Sequence, residues 1–487
     1  MTHPTTTGTP SETPGGLTGR LGTGSVVFMV IAAAAPLTVI AGNIPLSVGL
    51  GNGAGAPIGF VIAAIVLLLF AIGFVNMTPH VREAGAFFSY VTEGLGKRLG
   101  MGVAVVALIA YTAIQLGVYG FMGWAVDDTV RRYGGPDVPW PVYALVTIGI
   151  VAVLGYRHID LSAKVLGIAL VLEVGVVLVL DLVIFATGGA DGINVESFTP
   201  STIMSGSLGV PVLFALTGFI GFEATAVFRD EARNPERTIP RATYLAVLII
   251  GGFYALSCWA LVLGSGTTHV VDVANATLAG HGNMLLDTTQ KYLGGVGQDL
   301  VNVLLISSLF ACVLSFHNVI ARYQFVLARK GLLPAPLGRV HGAHHSPGVS
   351  SIVQTVTALV LLAAFAVLGL DPLVGVFGSM AGVATIGMVT LMLTTSIAVL
   401  VFFTRHRDLT RGRVWQTRIA PVLASVALVG SLWLVLSNFT LVTGGSVTVS
   451  TVLALVPLVG LVIGIVRGQG VRGDRRARLA LEEEPVG

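Results

Sequence analysis

The chain has 487 residues, of which 54% are hydrophobic and only 10% charged, with a formal net charge of +3 and a mean hydropathy of +0.87. Soluble domains carry about 25% charged residues, so the composition excludes a soluble globular protein and describes a polytopic membrane protein. Its 62 glycines suit closely packed transmembrane helices with local breaks.

Residues 1–20 are polar and rich in Thr, Pro and Gly, and we read them as a disordered cytoplasmic segment. They lack the basic n-region, apolar core and cleavage site of a signal peptide. A transmembrane domain is expected over 21–466, because apolar runs of about 20 residues mark spanning helices. Twelve such runs lie near 25–50, 57–78, 101–126, 140–155, 162–187, 208–229, 241–264, 297–328, 349–369, 374–403, 417–436 and 447–466. An all-α membrane fold of twelve helices follows. The tail, 467–487, is basic from Arg467 to Arg478 and then acidic, and it reads as a topogenic anchor on anionic lipid. With the N-terminus in the cytoplasm, Arg131, Arg132 and Lys291 are the only Lys or Arg outside, leaving 24 of 27 (27 − 3) inside. The positive-inside rule therefore puts both termini in the cytoplasm.

Taken in order, the first helix holds Pro36, Gly42, Asn43 and Pro45, so it is expected to open between about 35 and 43. Amides freed there suit a substrate carboxylate; the competing reading is a plain proline kink. In the third helix Tyr111, Gln115 and Tyr119 recur at i, i+4 and i+8, a polar face that either lines a permeation path or bonds neighbouring helices. The fifth helix carries Glu173 at mid-depth. An acid removed from water can exchange protons near neutral pH, so Glu173 is a proton-coupling candidate or a neutral acid tying helices together. Asp181, nearer the external end, is expected to be a solvated cap.

The sixth helix is the most informative. Gly218 and Gly221 precede Glu223 at a depth where a carboxylate costs several kcal/mol unless it faces protein or a cavity. Open backbone is tolerated there only where it lines a protected pocket. Glu223 binds a substrate amine, senses protons or braces the opened helix, the last being the favoured reading. In the eighth helix Ser307 and Ser308 are candidate sodium hydroxyls that read more simply as packing residues, and His317 reads as a packed histidine. Cys258 and Cys312 form no disulfide framework. Arg82, Glu231, Arg233 and Arg322 are inner-gate candidates, with loop solvation as their alternative.

Breaks in the first and sixth helices stand at corresponding positions of two five-helix halves, the sequence pointer to a secondary transporter. No HExxH motif, nucleophile elbow or carboxylate–histidine cluster is present, and Gly94-Leu95-Gly96-Lys97 lacks the Walker spacing. We therefore expect no enzyme activity, cofactor, bound metal or nucleic-acid partner.

Three motifs resemble the amino acid–polyamine–organocation (APC) transporters. They are Gly221-Phe222-Glu223 with Glu231, Asn234-Pro235 and Ile239-Pro240; Pro79 to Tyr90, where Ala84 replaces a usual glycine; and RYQFVLARKGLLP from Arg322 to Pro334. The resemblance implies a LeuT-like 5+5 inverted repeat, about 25–187 and 208–403, with two peripheral helices at about 417–466. It further implies alternating access and an amino acid held between the opened helices. By that analogy helix-one backbone, at Ala35, Pro36, Leu37 and Thr38 or at Ile40, Ala41 and Gly42, takes the carboxylate. The carbonyls of Thr217, Gly218, Phe219 and Ile220, beside Gly221, take the amine. Thr217 stands where relatives carry an aromatic gate, which leaves Phe219 as a substitute or a roomier pocket. Glu173 stands where several sodium-independent members have a lysine, so the coupling ion, proton or sodium, or plain exchange, is open. The expected function is secondary active amino acid transport in the cytoplasmic membrane. A polyamine carrier is the alternative within transport, and a non-transporting sensor the alternative outside it.

Overall fold

The computed structural model describes residues 21–81, 87–157, 163–227, 232–339 and 347–470. Among them ten helices are long and apolar enough to cross a membrane: Thr23–Gly55, Pro57–His80, Lys97–Arg132, Gly167–Thr187, Pro235–Ser265, Met284–Arg329, Gly348–Val367, Pro372–Arg405, Trp415–Val442 and Val447–Gly468. The two remaining apolar runs form a shorter helix, Trp140–Tyr156, and a broken one whose pieces are Gly209–Thr217 and Ala224–Val227. The molecule is a multi-pass helical membrane protein.

Several helices outrun the apolar stretches that announced them. Lys97–Arg132 exceeds its 101–126 run at both ends, and Met284–Arg329 begins well before 297. Hydropathy marks only the part of a helix that must avoid water, whereas hydrogen bonding continues into polar sequence. The extra length of Met284–Arg329 is a separate segment turned off the main helix at Gly294, where φ is 74°. Local sequence fixes the ends: Pro235 occupies the first turn after Asn234, where its missing N–H costs nothing. At the C-terminus of helix 284–329, Gly331 adopts φ 78° and Leu332 N–H donates to Leu327 O (2.9 Å), closing the helix with a left-handed cap. The Arg322–Pro334 motif is thus a helix-stop signal.

Close helix contact depends on small residues, as expected where lipid gives no hydrophobic drive to associate. Gly460, Gly464 and Gly468 recur at i, i+4 and i+8 along Val447–Gly470 and press on Lys97–Arg132; a Cβ on Gly464 would fall 2.6 Å from Gly102 Cα. The centre of the bundle is the first helix, in which every residue from Ala34 to Val48 is buried. Around the sixth helix, Phe222 packs edge-on against Phe70 at 6.0 Å and beside Phe87, which anchors the broken segment to helix 57–77. Phe87 belongs to the second motif, whose described part therefore buttresses the break.

Candidate functional site

The first helix breaks at one residue. Ala35 has φ 46° and ψ 69°, and among the described residues it alone combines a side chain with positive φ. That conformation costs an L-residue about 1–2 kcal/mol, so surrounding contacts must hold it. They do so on both sides. The Ala34 carbonyl, orphaned at the end of helix 23–33, accepts from Tyr254 Oη at 3.1 Å. Helical backbone resumes at Pro36, leaving Leu37 and Thr38 as the first amides of the new helix, and the Leu37 N–H donates to Glu173. The opening is narrower than the expected 35–43. Val39–Asn43 is a widened helical turn rather than an unwound one, and Asn43 Nδ2 donates to Phe214 O at 2.8 Å, tying the first helix to the sixth.

The sixth helix ends at Thr217 and resumes at Ala224. Between them Gly221 takes φ 109°, a backbone region that disfavours any side chain. Glu223 folds back over this gap: its Oε2 accepts from Gly221 N–H at 2.9 Å, and its Oε1 accepts from Tyr111 Oη at 2.5 Å. Both oxygens are thereby engaged by helix 97–132 and the break itself. The Gly218 and Ile220 carbonyls accept no hydrogen bond among the described residues.

Where the two breaks meet lies a small cavity of about 30 Å³. Ala33, Ala34 and Ala35 with Thr38, Val39 and Asn43 form one wall, and Thr217 and Ile220 form the opposite one. Ile114, Val118, Cys312, Phe316 and Phe377 complete it from three other helices. Polar groups are few. Thr38 Oγ1 is buried and without a partner among the described residues, while Thr217 Oγ1 is shared with Thr385 at 2.5 Å. No acid lines the cavity among the described residues.

Of the residues singled out from sequence, Ala35, Thr38, Thr217 and Ile220 meet at this cavity, whereas Pro36, Leu37, Ile40, Ala41, Gly42, Gly218, Phe219 and Gly221 stand outside its lining. Phe219 is turned away: it is 2% exposed and sits edge-on to Tyr254 at 6.1 Å. The aromatic rings at the cavity are Phe316 and Phe377, the latter packed on Phe121 at 5.0 Å. Gly42 faces Phe121 and Phe377, whose rings leave no room for a Cβ (2.7 and 2.9 Å). Glu173 sits beside the cavity at the start of the resumed helix, accepting from Ser308 Oγ at 2.9 Å as well as from Leu37. Ser307 bonds its own helix at Leu304 O.

The expectation of a solvated Asp181 is corrected. Asp181 is 2% exposed and accepts from Ser257 Oγ at 2.7 Å, because helix 235–265 covers the face of helix 163–187 that sequence position alone had put near water. The polar face of the third helix serves interhelical bonding: Tyr111 reaches Glu223, and Gln115 accepts from Gln354 at 2.7 Å. His317 packs against Ser351 (2.8 Å). Arg82 and Glu231 lie outside the described residues; Arg233 is exposed, its N–H donating to Leu21 O at 3.0 Å, and Arg322 is exposed on helix 284–329. Sequence reasoning missed Tyr254, Phe316, Phe377 and Thr385, ordinary residues in apolar runs that only the packing brings to the breaks.

Two interrupted helices facing one cavity inside a helical bundle define the class: a multi-pass membrane protein of the broken-helix type. The sequence profile of the amino acid permease family matches residues 21–463, and the chain belongs to that family, within the APC superfamily whose motifs it carries. It is 24% identical over 430 residues to the branched-chain amino acid permease BcaP of Bacillus subtilis, covering 84% of this chain and 85% of that one. The serine/threonine exchanger SteT of Bacillus subtilis is 22% identical over 319 residues, 64% and 69% of the two chains. The low-affinity putrescine importer PlaP of Escherichia coli is 22% identical over 433 residues, 86% and 89%.

Proposed function

We propose that this protein is a non-enzymatic, secondary active transporter of neutral amino acids with apolar side chains, driven by protons across the cytoplasmic membrane. The observation that carries the reading is the cavity between the breaks. Backbone groups and the unpartnered Thr38 hydroxyl offer polar contacts at one end, and Val39, Ile114, Val118, Ile220, Phe316 and Phe377 offer an apolar remainder. An α-amino acid has that division of chemistry. Its carboxylate suits the first amides of the resumed helix at Thr38, and its amine suits the Ile220 carbonyl, which accepts no hydrogen bond among the described residues.

The polyamine alternative loses support on the same ground. A dication needs counter-charge, yet Glu223 is committed to Tyr111 and Gly221, and Glu173 to Ser308 and Leu37. The ten spans, the shorter helix and the broken helix make twelve crossings (10 + 1 + 1), which supports the five-plus-five arrangement with two peripheral helices. Ala33 is exposed where it lines the cavity, whereas residues 34–48 are buried, so the access route runs along helix 23–33. The positive-inside reading of the basic loops supports a cytoplasmic placement of that side.

The test is competition against uptake in proteoliposomes. Leucine, isoleucine and valine are expected to compete best. Each methylene lost weakens binding by about 0.8 kcal/mol, so alanine should compete on the order of tenfold or more less well than leucine. Competition by putrescine with none by any amino acid would overturn the proposal.

A further inference from the structure

Helix 163–187 carries a second buried acid that the substrate site does not use. Asp181 lies eight residues beyond Glu173, about 12 Å along the helix axis, in the seam with helix 235–265. Its Oδ2 accepts from Ser257 Oγ at 2.7 Å, and its Oδ1 is buried without a hydrogen-bond partner among the described residues. An unpartnered, ionised carboxylate oxygen in an apolar seam is costly, and neighbours on its own helix, Val177, Leu180 and Ile184, are apolar and buried.

The groups around it supply no counter-charge. Helix 235–265 brings Tyr254 and Cys258, of which Tyr254 Oη is engaged with Ala34 O. Helix 284–329 brings Cys312, close to Glu173, and Lys291, whose Nζ donates to Gly264 O at 3.0 Å, about 10 Å beyond Ser257 along helix 235–265. The parts of the first helix packed on helix 163–187, Thr23–Ala33 and Pro36–Thr38, carry no titratable or charged residue. Among the described residues Asp181 forms no ion pair. One carboxylate and one hydroxyl fall short of the six to eight oxygens a hard cation such as calcium gathers, and no cluster of three or more metal-ligating side chains exists among the described residues.

We infer that Asp181 is a second proton-binding site, distinct from Glu173, in the seam between helices 163–187 and 235–265. Protonation forms an O–H bond at Oδ1 while Oδ2 keeps the Ser257 hydrogen bond; the proton comes from the external solution and returns to solution when the acid ionises. The site matters for transport because helix 235–265 also carries Tyr254, which holds the Ala34 carbonyl at the break. Charge on Asp181 therefore strains the same seam that keeps the first helix open. This inference rests on the proton-driven reading only for its consequence, not for the site itself.

The experiment is infrared difference spectroscopy of the full-length protein in lipid across a pH series, with proton-driven uptake measured in parallel. A carboxylic C=O band that titrates should vanish in Asp181→Asn and persist in Glu173→Gln. In Ser257→Ala, which removes the hydroxyl donor but keeps the acid, the band should shift in frequency. The slope of log uptake against pH should fall from about two protons to about one in Asp181→Asn. A wild-type band surviving in Asp181→Asn, or one unmoved in Ser257→Ala, overturns the inference. Absence of substrate flux in the wild type would instead overturn the transport reading and leave the spectroscopic result to decide Asp181 by itself.

Discussion

Gly221→Leu is expected to reduce reconstituted uptake on the order of a hundredfold while the protein still assembles in the membrane. Gly221 holds φ 109°, and a side chain in such a region costs about 1–3 kcal/mol, enough to change the population of the open backbone by one or two orders of magnitude. A Cβ there would lie 3.4 Å from Ala33 Cβ, ordinary contact, so alanine meets only the backbone strain. Leucine carries additional atoms toward the end of helix 23–33 and the cavity it borders. The same change disturbs the Gly221 N–H that Glu223 accepts at 2.9 Å, loosening the brace to Tyr111. Gly221→Ala should therefore fall between wild type and Gly221→Leu. Substrate binding by scintillation proximity checks the account, and normal affinity in Gly221→Leu would count against a site at the breaks.

The second large effect is expected from Glu173→Gln. The side chain is 5% exposed and accepts from Ser308 and from the Leu37 amide, the first free donor of the resumed helix. Glutamine keeps an oxygen for these donors but can neither ionise nor release a proton. Uptake driven by an inward proton gradient should fall on the order of tenfold or more, and the response to pH should flatten, whereas substrate exchange without a gradient should persist. Glu173→Ala is a different lesion. It leaves Leu37 N–H and Ser308 without their acceptor in a buried place, at about 1–3 kcal/mol for each unsatisfied group, so it should lower thermal stability as well. Unchanged uptake of Glu173→Gln at every pH would remove proton coupling at this residue.

The helices and the two breaks were legible because membrane constraints are severe. A run of apolar residues in lipid must be helical, and Pro36 or the Gly218–Gly221 pair within such a run has few outcomes. The side chains that complete the site were not legible. Tyr254 and Phe377 sit in apolar sequence with no periodic signal, and their roles arise from which helix faces which. Phe219 was one candidate for the aromatic gate that Thr217 lacks, yet the turn from Thr217 to Glu223 swings its ring toward helix 235–265. Asp181 failed for a related reason: its position along the helix was read, but the neighbour covering it was not. Glu223, an acid beside an opened backbone, has donors within reach, and Gly221 N–H is one of them.

Cys312 offers the most direct measurement. It lines the cavity and is partly exposed, whereas Cys258 is fully buried elsewhere. In a Cys258→Ala background, a small methanethiosulfonate reagent should label Cys312 and block uptake, and leucine should slow the labelling at concentrations that saturate transport, while putrescine should not. Labelling of Cys312 at the same rate with and without every amino acid the protein transports would contradict a substrate site between the two broken helices.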